Sequence, residues 1–435
     1  MLENTIMKVI QSKKINAFGG LNFVHDLLDQ VGIATILQSN LPKLPAQSKY
    51  EWHDIFSTFL SIYFCGGNCI EDSDTILKNH FGPNPFFNLC SPDTILKRFK
   101  SLRKEDKYCR TPRGMVEHQY NHNEDLYMLN IDLLKSLGVF AEHQVVLDYD
   151  NTIVFTEKSE SKMTYKKAYG FQPGVCIVNE QNILFVENRN GNSDAKSFQH
   201  NTLQRMFDGL SKQNVGSKFI FRADAASHQF EVFETIEKND CTFFIGARNS
   251  YVEKCFSTVE HWEKCTEGGQ EIWIGETTYT PFLRRYKKEK EPKQYRLLVK
   301  RKSNKTGQIN AITQDNYDYR AIVTNDFDKD LKQAIEFYNR RGAAEKQFDI
   351  MKNDFGWSNP PFSLLSENCV FMYFSAICRN LYNTVIQTFA KRYKNVCSTH
   401  RMKRLIFTFI TKPAIWVKRA RQWHLKIYGK LQLRV

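Results

Sequence analysis

The feature that most limits how this 435-residue chain can fold is HQVVLDYDNTIVF, residues 143–155, a β-branched and apolar run with carboxylates set inside it. Val and Ile favour strands, whereas aspartate in a strand centre is disfavoured. A carboxylate buried there without a partner costs several kcal/mol, so it needs a metal, an opposite charge or solvent. Asp148 and Asp150 are two apart and point to the same side of a strand. A strand edge turned to solvent would also accommodate them. The pattern recurs in KFIFRAD, residues 218–224, where Asp224 stands as an apolar strand emerges into Ala225-Ala226-Ser227. Catalytic groups are common at such a place, and Asp224 would equally suit the N-cap of a helix starting near Ser227.

The surrounding pattern predicts an α/β chain. GVCIVNE and NILFVENR read as a hairpin across Glu180-Gln181-Asn182. SDAKSFQHNTLQRMFDGL reads as a helix, and KFIFRAD and CTFFIGA as strands separated by the helix HQFEVFETIEKN. Strand, hairpin partner, strand, helix, strand, helix, strand is the order of an RNase H-like core. EIWIGETTYTPF, QYRLLVKR and YDYRAIVTN follow as a β-rich insertion. Residues 1 to about 140 read as helical, with apolar spacing in FVHDLLDQVGIATIL and IFSTFLSIYF. Ser91-Pro92 looks like an N-cap and first helical residue, opening TILKRFKSL. That helix turns Ile95, Leu96, Phe99 and Leu102 inward and Lys97, Arg98 and Lys100 outward. After DTILKNHF it is either the recognition helix of a helix-turn-helix-like pair or an ordinary amphipathic helix.

The chain is too long for one core, since single cores stop growing near about 250–300 residues. The net charge is +14, and after Glu367 there are fourteen Lys and Arg and no acidic residue, so this end alone accounts for the excess. A polyanionic partner is implied, bound with steep salt dependence. Trp416, Trp423, Tyr428 and spaced Ile, Leu and Val predict folded helices there rather than a solvated tail. No apolar run of signal-peptide length opens the chain, and VFMYFSAIC from Val370 is stopped by Arg379, which predicts a cytosolic protein without a membrane partner. The eleven cysteines lack zinc-finger spacing and are expected to be buried free thiols.

FDKDLKQAIEFYNRRGAAEKQFDIMKNDFGW, residues 327–357, predicts one helix capped by Asn325 or Asp326 and ended by Gly356 with Pro360-Pro361. Tyr338, Arg341, Glu345 and Lys352 stand at i, i+3, i+7 and i+14, within an arc of roughly 60° on one face. Such a stripe sets a carboxylate between cations suited to phosphate contact.

Tyr338-x2-Arg341-x3-Glu345-x6-Lys352 resembles the Tyr-Arg-Glu-Lys signature of bacterial insertion-sequence DDE transposases, and LDYDNT and FRADAAS are similar to that group's first and second aspartate motifs. The resemblance is close over about residues 140–360. It implies an RNase H-like mixed-sheet catalytic core with a β-rich insertion, flanked by helical ends. The divisions are a helical N-terminal DNA-binding region over 1–140, the catalytic domain over 141–366 with its insertion at about 250–325, and a basic helical region over 367–435. It also implies metal-dependent cleavage of element ends and strand transfer into target DNA. Asp150, Asp224 and Glu345 would bind two Mg²⁺ ions, for which Mn²⁺ substitutes. Asp150 is preferred to Asp148 as the first ligand because Asp150-Asn151-Thr152 resembles the Asp-x-Thr/Ser of RNase H-like first strands. Asp148 stays a candidate for sharing the metal. Tyr338, Arg341 and Lys352 would hold the DNA backbone, with Lys97 and Arg98 as further contacts. Trp262 or Trp273 is either a stacking platform for a flipped base or a core aromatic. The implied partners are double-stranded DNA, as terminal inverted repeats and target, and a second copy in a synaptic homodimer. Competing readings are an inactive DNA-binding derivative, another RNase H-like nuclease, and a transcription regulator built on SPDTILKRFKSL. The last leaves the aspartates in apolar strands unexplained.

Overall fold

The computed structural model describes residues 15–81, 84–110, 116–286, 291–304, 307, 309 and 313–434. They divide into two compact units. One holds the residues up to Ser101, Asp354–Pro361 and Leu381 onward; the other holds Leu102–Asn353 and Phe362–Asn380. The sequence suggests a division near 140, and the compact units divide at 101. The reason is that residues after Leu102 supply strands to the large sheet described below.

The first unit contains helices α1 (Leu21–Val31), α2 (Ile33–Asn40), α3 (Trp52–Phe64) and α4 (Pro92–Ser101). Gly32, at φ 76°, ends α1 and opens α2 in one residue, a left-handed conformation that disfavours any side chain. Helix α3 is apolar on all sides and is buried from Ile55 to Phe64, as a core helix must be. Phe59 meets Phe99 of α4 edge-on with centroids 5.0 Å apart. The Ser91 hydroxyl accepts from the Thr94 N–H at 3.4 Å, and Pro92 opens α4 as expected. The helix-turn-helix alternative is not what forms. DTILKNHF contributes the π-helical turn Ser73–Lys78, and residues 79–91 intervene where that motif allows a turn of about three or four.

The second unit is built on β1 (Lys107–Arg110), β2 (Glu117–Asn121), β3 (Gln144–Asn151), β4 (Gly174–Val178), β5 (Asn182–Arg189), β6 (Lys218–Ala223), β7 (Thr242–Gly246), β8 (Glu263–Glu267), β9 (Gln270–Tyr279), β10 (Tyr295–Ser303) and β11 (Tyr317–Thr324). Among the described residues these form one sheet, ordered β1-β2-β5-β4-β3-β6-β7-β11-β10-β9-β8. Strands β3, β4 and β5 run antiparallel, and β3, β6 and β7 run parallel. That arrangement is the RNase H-like order. The predicted hairpin forms with a three-residue connection, Asn179–Gln181, in which Asn179 and Glu180 are both left-handed (φ 49° and 63°) and the Gln181 N–H donates to the Val178 carbonyl. In the chain, α5 (Glu124–Ser136) stands between β2 and β3 and α8 (Asn249–Phe256) after β7; the parallel crossovers are α6 (Gln199–Lys212) and α7 (Phe230–Lys238). Helix α6 starts later than the sequence suggests, because Asp194 accepts from the Lys196 and Ser197 N–H groups and Phe198 is left-handed.

The insertion is a continuation of the same sheet. β11 pairs antiparallel with β7, and β10, β9 and β8 follow as a meander. One face is covered by α9 (Leu331–Asn339), whose Ala334 and Ile335 pack with Ile220, Phe244, Ile274, Leu298 and Ile322. Ile335→Ala is expected to cost about 2–5 kcal/mol, read as a lowered denaturant midpoint with unchanged slope.

Helix α11 (Leu365–Arg392) supplies residues to both units. Within the second, buried Asn380 accepts the Ile183 N–H at 2.8 Å and donates to the Ile183 carbonyl and to Asn130, so none of its amide is wasted in an apolar setting. Beyond α11 the expected helical end is only partly helical. A short α12 (Met402–Leu405) and a π-helical turn lead into two strands, β12 (Ala414–Arg419) and β13 (Gln422–Ile427). Ile415-Trp416-Val417 and Trp423-His424-Leu425 have the β-branched and aromatic character of strands, which outweighs the basic composition. The eleven cysteines are free, as expected, but only Cys65, Cys90, Cys176, Cys241, Cys369 and Cys378 are buried. No helix among the described residues is long and apolar enough to cross a membrane.

Candidate active site

Asp150 ends β3, and Asp224 follows β6, the parallel neighbour of β3. The register sets Tyr149 beside Ala223, so the two aspartates leave adjacent strands at the same edge. Asp224 is also a cap: its Oδ1 accepts the Ala226 N–H at 2.9 Å. The capping role offered by the sequence therefore forms, and it uses one of the two carboxylate oxygens.

The Asp150 side chain is about one-fifth exposed. Burial first, and the charge of Asp224 second, push its carboxyl up to about 6 from the ordinary 3.8; Glu345 adds to the rise, while Arg341 and the Asn151 N–H oppose it. Asp150 therefore feels two further carboxylates from a largely buried position. Arg341 lies between two of these three groups, with Nη1 3.4 Å from Asp150 and Nη2 3.8 Å from Glu345. Tyr338 donates to the Ala223 carbonyl at 3.2 Å, pinning the helix to the strand that delivers Asp224. This contact needs a glycine at 246, where a Cβ would lie 2.6 Å from the Tyr338 hydroxyl oxygen.

The expected single helix is broken. Helix α9 ends at Asn339, a 3₁₀ turn covers Arg340–Gly342, and α10 runs Ala343–Asp354. The cap of α9 is Asp330, which accepts the Gln333 N–H at 3.0 Å, rather than Asn325 or Asp326. Asn325 instead accepts from Phe243, and Asp326 from the Asp328 and Lys329 N–H groups. Glu345 occupies the first turn of α10, where a carboxylate suits the helix dipole, with its side chain 75% exposed. Lys352, two turns on, is half-buried; burial and then the charge of Lys166 lower its pKa.

Asp148 departs from the sequence expectation of a shared metal ligand. Arg222 Nε donates to its Oδ1 at 2.7 Å and Nη2 to its Oδ2 at 2.6 Å, and both side chains are essentially unexposed. Arg222 also reaches Glu180 at 2.9 Å and the Phe337 carbonyl at 2.6 Å. Both oxygens of Asp148 are committed to this pair. Sequence reasoning passed over Arg222, although a cation in an apolar strand beside FRAD carries the same warning as the aspartates. Trp262 is not an open platform either: Arg301 stacks on it, 3.8 Å from its centroid, and Trp273 meets Tyr317 edge-on. In the other unit, Lys97 is exposed and Arg98 donates to the Ser48 hydroxyl at 2.5 Å.

Among the described residues no three Asp, Glu, His or Cys side chains lie close enough to enclose an ion. The donor chemistry nonetheless fits a hard divalent cation, because carboxylate oxygens are its preferred ligands. The raised Asp150 value marks a carboxylate disfavoured first by burial and then by the charge of Asp224, a cost that a nearby cation would offset. Glu345 must turn inward to join Asp150 and Asp224.

A family model described as transposase DDE domain group 1 matches residues 3–431. No curated protein matches the sequence. Among solved structures, the cryo-EM structure of a piggyBac transposase synaptic complex with hairpin DNA is similar at 10% identity and a TM-score of 0.40, covering 90% of this chain and 78% of that one. With the match running over nearly its whole length, the chain belongs to the DDE transposases, DNA-breaking and DNA-joining enzymes that work with divalent metal ions.

Proposed function

We propose that Asp150, Asp224 and Glu345 are the carboxylates with which this transposase cleaves its element ends and transfers them to target DNA. The observation that carries the assignment is geometric: Asp150 and Asp224 leave adjacent parallel strands at one edge, and Arg341 lies between Asp150 and Glu345. Asp150 and Asp224 would hold Mg²⁺, or Mn²⁺ in its place, with Glu345 closing the set. When bound, two such ions polarise the scissile phosphate and make a water or a 3′-hydroxyl a better nucleophile.

The chain's own residues supply position and charge. Arg341, already between Asp150 and Glu345, would hold a phosphate oxygen beside those carboxylates. Tyr338 fixes that arginine's helix against Ala223. Lys352 contacts backbone further from the cut, and Lys97 offers a separate phosphate contact on α4. The substrate is duplex DNA bearing terminal inverted repeats, handled by a homodimer in the cytoplasm at the nucleoid.

The experiment is cleavage of linear DNA carrying the element's ends. Mg²⁺ is expected to produce nicks at the ends, and a chelator to abolish them; cutting that persists without metal would contradict the proposal. Proton competition gives a second measure. The Asp150 carboxyl takes up its proton near pH 6, so a cation must displace that proton at lower pH. Mg²⁺ affinity is expected to fall about tenfold per unit below pH 6, followed by the metal-induced rise in melting temperature. The sign for the metal-free protein is opposite. A folded-state value above 3.8 means stability is present below pH 4 and lost as pH rises through about 6.

A further inference from the structure

Strands β12 and β13 form a two-stranded antiparallel ribbon that no part of the carboxylate site uses. Its turn is Ala420-Arg421, both left-handed at φ 45° and 63°, a two-residue connection matched to the twist of paired strands. Its base is anchored: Asn16 and Ala414 exchange two backbone hydrogen bonds of 2.8 Å, and the Tyr428 N–H donates to the Pro413 carbonyl at 2.8 Å. Everything from Lys418 to His424 is exposed.

The register separates the two faces. Ala414 pairs with Ile427, Trp416 with Leu425 and Lys418 with Trp423 on one; Ile415 pairs with Lys426, Val417 with His424 and Arg419 with Gln422 on the other. The first face is turned inward at its base, where Ala414 is buried and Trp416 meets Phe86 edge-on at 5.2 Å. The second ends in Arg419, Gln422, His424 and Lys426, all exposed. These are side chains that hydrogen-bond base edges: Arg and Lys suit guanine, and Gln donates to and accepts from adenine. Charge selects the same partner, since the fourteen cations after Glu367 face no acidic residue in their own stretch. Six-residue strands span about 20 Å, and the major groove, about 12 Å wide, admits a two-stranded ribbon.

We propose that this ribbon enters the major groove of duplex DNA and reads sequence with Arg419, Gln422, His424 and Lys426, while Lys418, Arg421 and Lys430 contact phosphates. It rests on the reading of the chain as a DNA-acting enzyme and assigns to a C-terminal ribbon the recognition that the sequence suggested for α4.

The test uses the full chain in chelator, so that binding is separated from cutting. Duplexes are selected from a random-sequence pool, and the affinity of the selected duplex is compared with that of a shuffled one. Gln422→Ala/His424→Ala is expected to lower the ratio of the two affinities roughly tenfold or more while leaving the shuffled duplex's affinity nearly unchanged. Arg421→Ala should weaken both duplexes alike and reduce the salt slope by about one. Because fold loss would confuse the double variant, its melting temperature is measured. Gln422→Glu alone gives an independent readout, as glutamate accepts from cytosine and should change the selected base at one position. A wild-type chain that selects no sequence, a double variant with an unchanged ratio or an equal loss on both duplexes, or a Gln422→Glu chain with an unchanged selection would overturn the proposal. Each of those results leaves the carboxylate assignment standing, because no cleavage is measured; conversely, Asp150→Asn should cut nothing and still select the wild-type sequence.

Discussion

Asp150→Asn is expected to lower the rate of end cleavage by about 10³-fold or more, with Glu345→Ala close behind it, because losing a ligand removes several kcal/mol of charge stabilisation from the transition state. The asparagine keeps the size and one oxygen of Asp150 but not the charge felt by Asp224 and Arg341. DNA binding should survive, since the pairing of this strand with its neighbour is made by backbone groups that the substitution leaves in place. Asp148→Asn is the control. Its carboxylate is spent on Arg222, so cleavage per folded molecule should stay within about tenfold of wild type, at the scale of one hydrogen bond to a charged group. Equal cleavage by wild type and Asp150→Asn would end the assignment. A collapse of activity in folded Asp148→Asn would move the first ligand to that residue.

The largest stability effect is expected at Arg222. Arg222→Met leaves the Asp148 carboxylate buried without a counter-charge and strips a donor from the Phe337 carbonyl. Breaking a buried pair from one side costs about 3–5 kcal/mol, which lowers the melting temperature by roughly 10 °C in a unit of this size. Removing both charges is less harmful than removing one. Arg222→Met/Asp148→Leu should therefore regain most of the loss. Differential scanning calorimetry decides this, and an Arg222→Met chain that melts like wild type would show that the pair carries no such energy.

Much of the core was legible because it is written locally. Val145-Val146-Leu147 and Phe219-Ile220-Phe221 are strands by composition, and the three-residue turn at Asn179–Gln181 needs only its neighbours. The stripe from Tyr338 to Glu345 was visible as spacing, and Arg341 does meet Asp150 and Glu345. What escaped depends on distant partners. Arg222 stands opposite Asp148 only once β3 and β6 are parallel and in register. The same guanidinium takes the Phe337 carbonyl a few residues before α9 breaks, which periodicity within the helix does not reveal. The C-terminal ribbon was a misjudged local signal. Alternating Ile415-Trp416-Val417 competed with a strongly basic composition, and the charge was read as helical surface. The division of the compact units at 101 has no local signal, because β1 and β2 join the far edge of a sheet whose centre starts some twenty residues later.

The continuation of the sheet through the insertion also affects how molecules of this enzyme can associate. An open sheet ends in unpaired backbone groups that invite a strand from another chain. Here one terminal strand, β1, carries Lys107 and Arg110, with Arg110 ion-paired to Glu117; the other, β8, carries Glu263, Lys264 and Glu267, with Lys264 paired to Glu271. Both borders are short and charged, which discourages strand exchange and runaway stacking. Long sheets of this kind are prone to aggregate when their borders are apolar, so these few charged side chains help keep a broad sheet soluble while it waits for DNA.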